Sequence, residues 1–179
     1  MLEWITMKIP SVCVIVVILA TCLSSSVLAA PDWRVELIPS RNSEGKGAVL
    51  YAAKPMDKFY IVLHNISGKD QRVWRDWCPW GYENLSLLAE IEGGKKVSLT
   101  VKPKEWDKAY PDSALVRVGK SYVFEVHLAG NIWQGAEKLP ETAFKLTVIY
   151  EVKATEGSKQ KRVWTGKVIS DPATVTLRQ

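Results

Sequence analysis

Three tryptophans and a cysteine crowd one short segment, Val73-Trp-Arg-Asp-Trp-Cys-Pro-Trp-Gly-Tyr82. Flat aromatic faces stack on the C–H faces of sugars, while neighbouring polar groups bind the hydroxyls. Trp77, Trp80 and Tyr82 can present such faces, and Arg75, Asp76, Glu83 and Asn84 can supply the hydrogen bonds. Trp106, Tyr110 and Trp133 lie in two long connections, residues 102–112 and 129–141, and can extend the surface. Long loops on a rigid scaffold are where binding concentrates. The competing use of the same side chains is packing, because large aromatics usually fill a core. Trp74 and Trp164 fit that use best. Trp77, Trp80 and Trp106 are the rings expected at the surface.

Cys78 sits inside this segment. Trp77-Cys78-Pro79 resembles the start of a thioredoxin-like site, but the second cysteine is missing and Trp80-Gly81 follow instead. A Cys-Pro pair that ligates haem is too short a motif to carry weight. Arg75 is near enough in sequence to favour a thiolate, yet a buried inert thiol is the expectation.

Catalytic signals are poor. The chain has two histidines. His64 and His127 lack ligand spacing for zinc, and no Gly-x-Ser-x-Gly elbow is present. Asp107 and Asp112 can line one loop, but loop acids are usually just solvated. A triad assembled in space leaves no trace in sequence, so a hydrolase is the least favoured reading. The expectation is no catalytic residue, no cofactor and no metal.

The N-terminus gives an address. Lys8 precedes the apolar run Ser11-Val-Cys-Val-Ile-Val-Val-Ile-Leu-Ala20 and the small-residue stretch Ser24-Ser-Ser-Val-Leu-Ala-Ala30. That order is the pattern of a secretory signal peptide. The run is shorter than the roughly 20 apolar residues of a spanning helix. Val27 and Ala29 place cleavage after Ala29, giving a signal peptide over 1–29 and a mature domain over 30–179. Leu19-Ala-Thr-Cys22 offers the alternative of a lipoprotein acylated at Cys22, although Thr21 is a poor match. The mature chain is therefore expected to be secreted, periplasmic or part of the cell envelope. Cys13 and Cys22 fall in the leader, so a soluble mature form keeps Cys78 alone and has no internal disulfide.

The net charge is +5, and loss of Lys8 with Glu3 leaves it unchanged. The densest basic stretch, Lys153 to Arg162, reads as a solvated hairpin tip. An exported chain has little use for a nucleic-acid partner. The length of the mature part suits one domain with a sizeable core.

Period-2 alternation dominates from Trp33 onward. Trp33, Val35 and Leu37 alternate with Arg34 and Glu36, and Phe144, Leu146, Val148, Tyr150 and Val152 give the longest clean run. Residues 40–47 read as a loop, and Gly93-Gly94 and Gly119-Lys120 as turns. The pattern gives about eight or nine strands and no sustained helical period. An all-β sandwich or barrel follows.

Phe59-Tyr-Ile-Val-Leu-His-Asn-Ile-Ser67 is a strand ending in an Asn-x-Ser turn, and Val118-Gly-Lys-Ser-Tyr-Val-Phe-Glu-Val126 is a glycine turn feeding a strand. Over residues 57–128 this pair resembles the central strands of immunoglobulin-like sandwich domains in exported bacterial proteins, and the BsuPI-type proteinase-inhibitor family. The resemblance implies a single antiparallel Ig-like β-sandwich. The combined expectation is a non-enzymatic exported module that binds a protein or glycan through its Trp-rich loops. A proteinase inhibitor acting through Lys102–Asp112, or a structural envelope component, are the alternatives. Asn65-Ile-Ser67 and Asn84-Leu-Ser86 match the N-glycosylation pattern, but Asn65 is better read as a turn former.

Overall fold

A computed structural model describes residues 31–41, 48–51, 58–107, 109–128 and 132–178. The expected leader, its cleavage site and Cys22 lie outside the described residues. The fold is all-β. The strands are β1 (Trp33–Ile38), β2 (Ser40–Arg41), β3 (Ala48–Tyr51), β4 (Phe59–Asn65), β5 (Gln71–Trp74), β6 (Leu85–Glu90) and β7 (Lys96–Val101). They continue as β8 (Ser113–Val116), β9 (Ser121–Val126), β10 (Trp133–Gln134), β11 (Ala143–Val152), β12 (Gly166–Ile169) and β13 (Ala173–Arg178). That is more pieces than the alternation suggests, because fragments as short as β2 and β10 carry no readable period. Two short helices interrupt the strands: α1 (Pro79–Tyr82) and α2 (Glu156–Gln160).

Burial follows the sequence alternation. In β1, Trp33, Val35 and Leu37 are buried while Arg34, Glu36 and Ile38 are exposed. In β11, Phe144, Leu146, Val148, Tyr150 and Val152 all face the core. Each such side chain contributes about 1.5–3 kcal/mol when fully buried, so β11 is the main organiser of the interior.

β1, β4 and β9 form one antiparallel sheet. A larger sheet runs β10-β7-β6-β11-β13-β3-β2. β5 and β8 make a separate pair. One edge of β11 is shared: its first half pairs with β13 and its second half with β12. Asp171-Pro172 break the chain between them, since proline cannot donate to a ladder. Ser170 fills the missing rung. Its backbone N–H donates to the Val148 carbonyl, and its hydroxyl accepts from the Val148 N–H, both at 2.9 Å.

Among the described strands, β13 and β3 form the one parallel pair, and an isolated parallel bridge joins Arg72 to Val163. A parallel pair needs a long crossover, and most of the chain lies between those two strands. The loop expected at residues 40–47 begins instead with β2, which pairs with β3; residues 42–47 lie outside the described residues. The basic stretch 153–162 lies in the connection of the antiparallel β11–β12 hairpin and is mostly exposed, as expected. What the alternation does not show is that this tip contains α2, whose N-cap Thr155 and Ser158 form a reciprocal capping box of the kind that satisfies two free helix-end donors. The connection 129–141 likewise contains β10 and a 3-10 turn, Ala136–Lys138.

Residues of both larger sheets belong to one hydrophobic cluster. An aromatic chain crosses it: Phe124 lies 5.5 Å from Tyr150, Tyr150 stacks on Trp164 at 6.2 Å, and Trp164 meets the edge of Trp33 at 6.3 Å. Asn65 is the turn former expected. Its buried amide donates to the carbonyls of Lys69 (3.0 Å) and Val116 (2.9 Å), and its Oδ1 accepts from the Ser67 N–H and hydroxyl. No helix among the described residues is long and apolar enough to cross a membrane.

Burial pushes the Tyr150 hydroxyl above the usual tyrosine range, with the Tyr122 charge a smaller cause. The folded state therefore holds a proton that the unfolded chain releases above about pH 10. The stability due to Tyr150 is complete below that pH and is lost as pH rises beyond it, by about 1.4 kcal/mol per pH unit. Urea unfolding from pH 9 to 11.5 is expected to show stability falling as pH rises, and Tyr150→Phe to reduce that slope by about this amount.

Candidate functional site

β5 ends at Trp74, and the chain turns immediately into α1. Pro79 occupies the first helical turn, where its missing N–H costs nothing. Gly81 is buried against the end of β5: a Cβ there would lie 2.0 Å from the Arg75 carbonyl oxygen. Only a hydrogen fits. This contact fixes α1 and sends the aromatics of the segment in different directions.

Trp74 is core, as expected. Trp77 is 59% exposed, and its indole N–H donates to Asp112 Oδ2 at 3.1 Å. The same carboxylate oxygen lies 3.3 Å from Arg75 Nε, and the Arg75 guanidinium sits 4.7 Å from the Trp77 ring centroid. Arg75 is thus committed to Asp112 and Trp77. Cys78 is buried, with its sulfur 3.1 Å from the Arg75 carbonyl and 3.5 Å from the Asp112 carbonyl.

Trp80 is partly buried and tilts over Trp74 at 6.0 Å. It lines a groove of 340 Å³ with Glu83, Asn84, Ser86, Thr100, Glu151 and Lys153. The β6–β7 register places Ser86 opposite Thr100, and the Glu151 N–H donates to the Asn84 carbonyl, which extends the ladder beside them. Asn84 also donates to the Trp80 carbonyl at 2.8 Å. Glu151 is paired with Lys167 at 3.1 Å, both half-exposed; such a pair is worth little and yields readily to a ligand. One aromatic wall faced by hydroxyls, an amide, carboxylates and an ammonium suits a polyhydroxylated ligand.

Tyr82 leaves α1 elsewhere. It meets the edge of Trp106 at 5.6 Å, and Lys104 Nζ lies 4.6 Å above the Trp106 ring. Trp106 is therefore partly covered. Tyr110 is 74% exposed. Trp133, expected in an open loop, is instead 2% exposed in β10, paired with Val101. The structure thus does not gather the six rings into one face. It puts Trp80 on the groove, Trp77 on the Arg75–Asp112 corner, Tyr82 with Trp106, and Trp133 in the core.

Sequence reasoning named Glu83 and Asn84 but missed Ser86, Thr100, Glu151 and Lys153. Ser86, Thr100 and Glu151 are outward positions on separate strands and Lys153 follows the end of β11, and nothing local marks them. It also missed a row on the outer face of the three-stranded sheet. His64 Nδ1 and the Ser121 hydroxyl are 2.9 Å apart, and His64 Nε2 lies 3.1 Å from Glu36 Oε2. The connectivity is that of a nucleophile, base and orienting acid. Acyl transfer also needs donors aimed at a developing oxyanion, and His64 belongs to a central strand paired on both sides. The row is read as cross-strand bonding. Among the described residues no cluster of His, Cys, Asp and Glu could hold a metal ion.

Gly81→Ala is expected to destabilise by about 3 kcal/mol, the upper end for forcing atoms into packed space, measured by urea unfolding. Under native conditions Cys78 is expected to resist maleimide labelling and to react once unfolded; fast native labelling would contradict the packing described. Comparison with protein-family models, curated proteins and solved structures found no match to this chain.

Proposed function

We propose that this protein is a non-catalytic, extracytoplasmic binding module on an Ig-like β-sandwich, and that it holds a glycan in the groove beside Trp80. The observation that carries the reading is the composition of that groove. A partly buried indole supported from behind by Trp74 forms one wall, and hydrogen-bonding side chains from β6, β7 and β11 form the others. The export pattern at the N-terminus supports the location, and the shared core of the two larger sheets supports the sandwich. A protein partner is the second reading. It is favoured by the exposed Trp77 and Tyr110, since aromatics and arginine dominate protein interfaces.

The two readings separate experimentally. Thr100→Val removes a hydroxyl at constant shape, and Glu151→Gln removes a charge. Together they are expected to weaken binding to soluble polysaccharides or cell-wall glycan fragments at least tenfold, about 1.4 kcal/mol, without lowering the unfolding temperature. Binding that survives these changes and is lost in Trp77→Ala would move the site to the Arg75–Asp112 corner and sink the groove.

A further inference from the structure

A second cavity of 140 Å³ opens on the other side of α1, between that helix, the edge of β9 and the start of β10. It shares no lining residue with the Trp80 groove. Three aromatics line it: Tyr82, Phe124 and Trp133. Three titratable residues join them, Asp76, Glu125 and His127, and none of the lining residues is lysine or arginine.

The polar groups differ in what they can offer. Glu125 is tied to Lys58, whose ammonium hydrogen bond holds the carboxyl below the usual range, so its charge is already balanced. Asp76 accepts on Oδ1 from the Tyr122 hydroxyl at 2.9 Å, which leaves Oδ2 for a ligand. Burial, then the Asp76 charge, pushes the Tyr122 hydroxyl up, so it remains a neutral donor. His127 Nε2 lies 3.6 Å from Glu125 Oε1, while Nδ1 is buried without a hydrogen-bond partner among the described residues. When Nε2 carries the proton toward Glu125, Nδ1 is an acceptor.

We propose that this cavity binds a small organic cation, a primary alkylammonium, with its N–H groups on Asp76 and His127 and its alkyl part against the aromatic rings. Aromatic faces attract cations, and do so more strongly away from water. The carboxylate sets the sign of the ligand's charge. The cavity volume limits its size to a few heavy atoms.

The test is an NMR titration of the mature protein with n-propylammonium, 1-propanol and propionate, read at the Trp133 indole N–H and the His127 ring protons. Propylammonium is expected to shift both signals saturably at millimolar concentration, with propanol at least tenfold weaker and propionate without effect. Asp76→Asn still accepts from Tyr122 but lacks the charge, and is expected to weaken propylammonium at least tenfold while glycan binding is unchanged. Equal binding of propanol and propylammonium, preference for propionate, or shifts confined to Trp77 and Tyr110 would each overturn the proposal. If Asp76→Asn does not fold, the comparison of the three probes on the natural protein still decides.

Discussion

The close approach of Gly81 to the Arg75 carbonyl governs the Trp-rich end of this molecule. A Cβ at that position would stand 2.0 Å from a backbone oxygen, so any other residue would push α1 off the end of β5. With glycine there, α1 docks tightly, and its two aromatic side chains line different recesses. Trp80 goes to the groove above Trp74, and Tyr82 goes to Trp106 and the second cavity. The docked helix therefore borders two chemically different recesses, one polar with the Trp80 and Trp74 indoles, the other small and aromatic.

Asp112 secures the same corner from outside the segment. Its Oδ2 takes both the Trp77 indole N–H and Arg75, and its backbone carbonyl accepts from the Arg75 N–H. The loop from β7 to β8 is thereby anchored at its far end, and Trp106 anchors its middle. Exposed ion pairs contribute little alone. Here the carboxylate also satisfies an indole donor, so the group acts as a small network. In the core β11 supplies the rigidity: its five inward side chains along ten residues run from the interior to Val152 at the wall of the Trp80 groove.

The strands were legible because a half-buried strand writes its burial into the sequence. β1, β4, β9 and β11 read directly from alternation, and Asn65 read as a turn because a short amide side chain mimics a turn backbone. Three features were not legible, each for a physical reason. Trp133 is buried by a two-residue strand whose partner, Val101, lies far back in the chain, so no local period marks it. α2 is too short to show a helical period. The groove is built from Glu83, Ser86, Thr100 and Glu151, which register brings together and sequence keeps apart. Polar outward residues look alike until a fold decides which of them share a recess.

The central claim is that Trp80, rather than the more exposed Trp77, is the ring that meets a ligand. Its most direct test is the indole N–H spectrum of the ¹⁵N-labelled mature protein during titration with cell-wall glycan fragments. The Trp80 signal is expected to move saturably while those of Trp33 and Trp133 stay in place. Movement of Trp77 with Trp80 unmoved, or no movement of any indole under conditions where binding is detected, would contradict it.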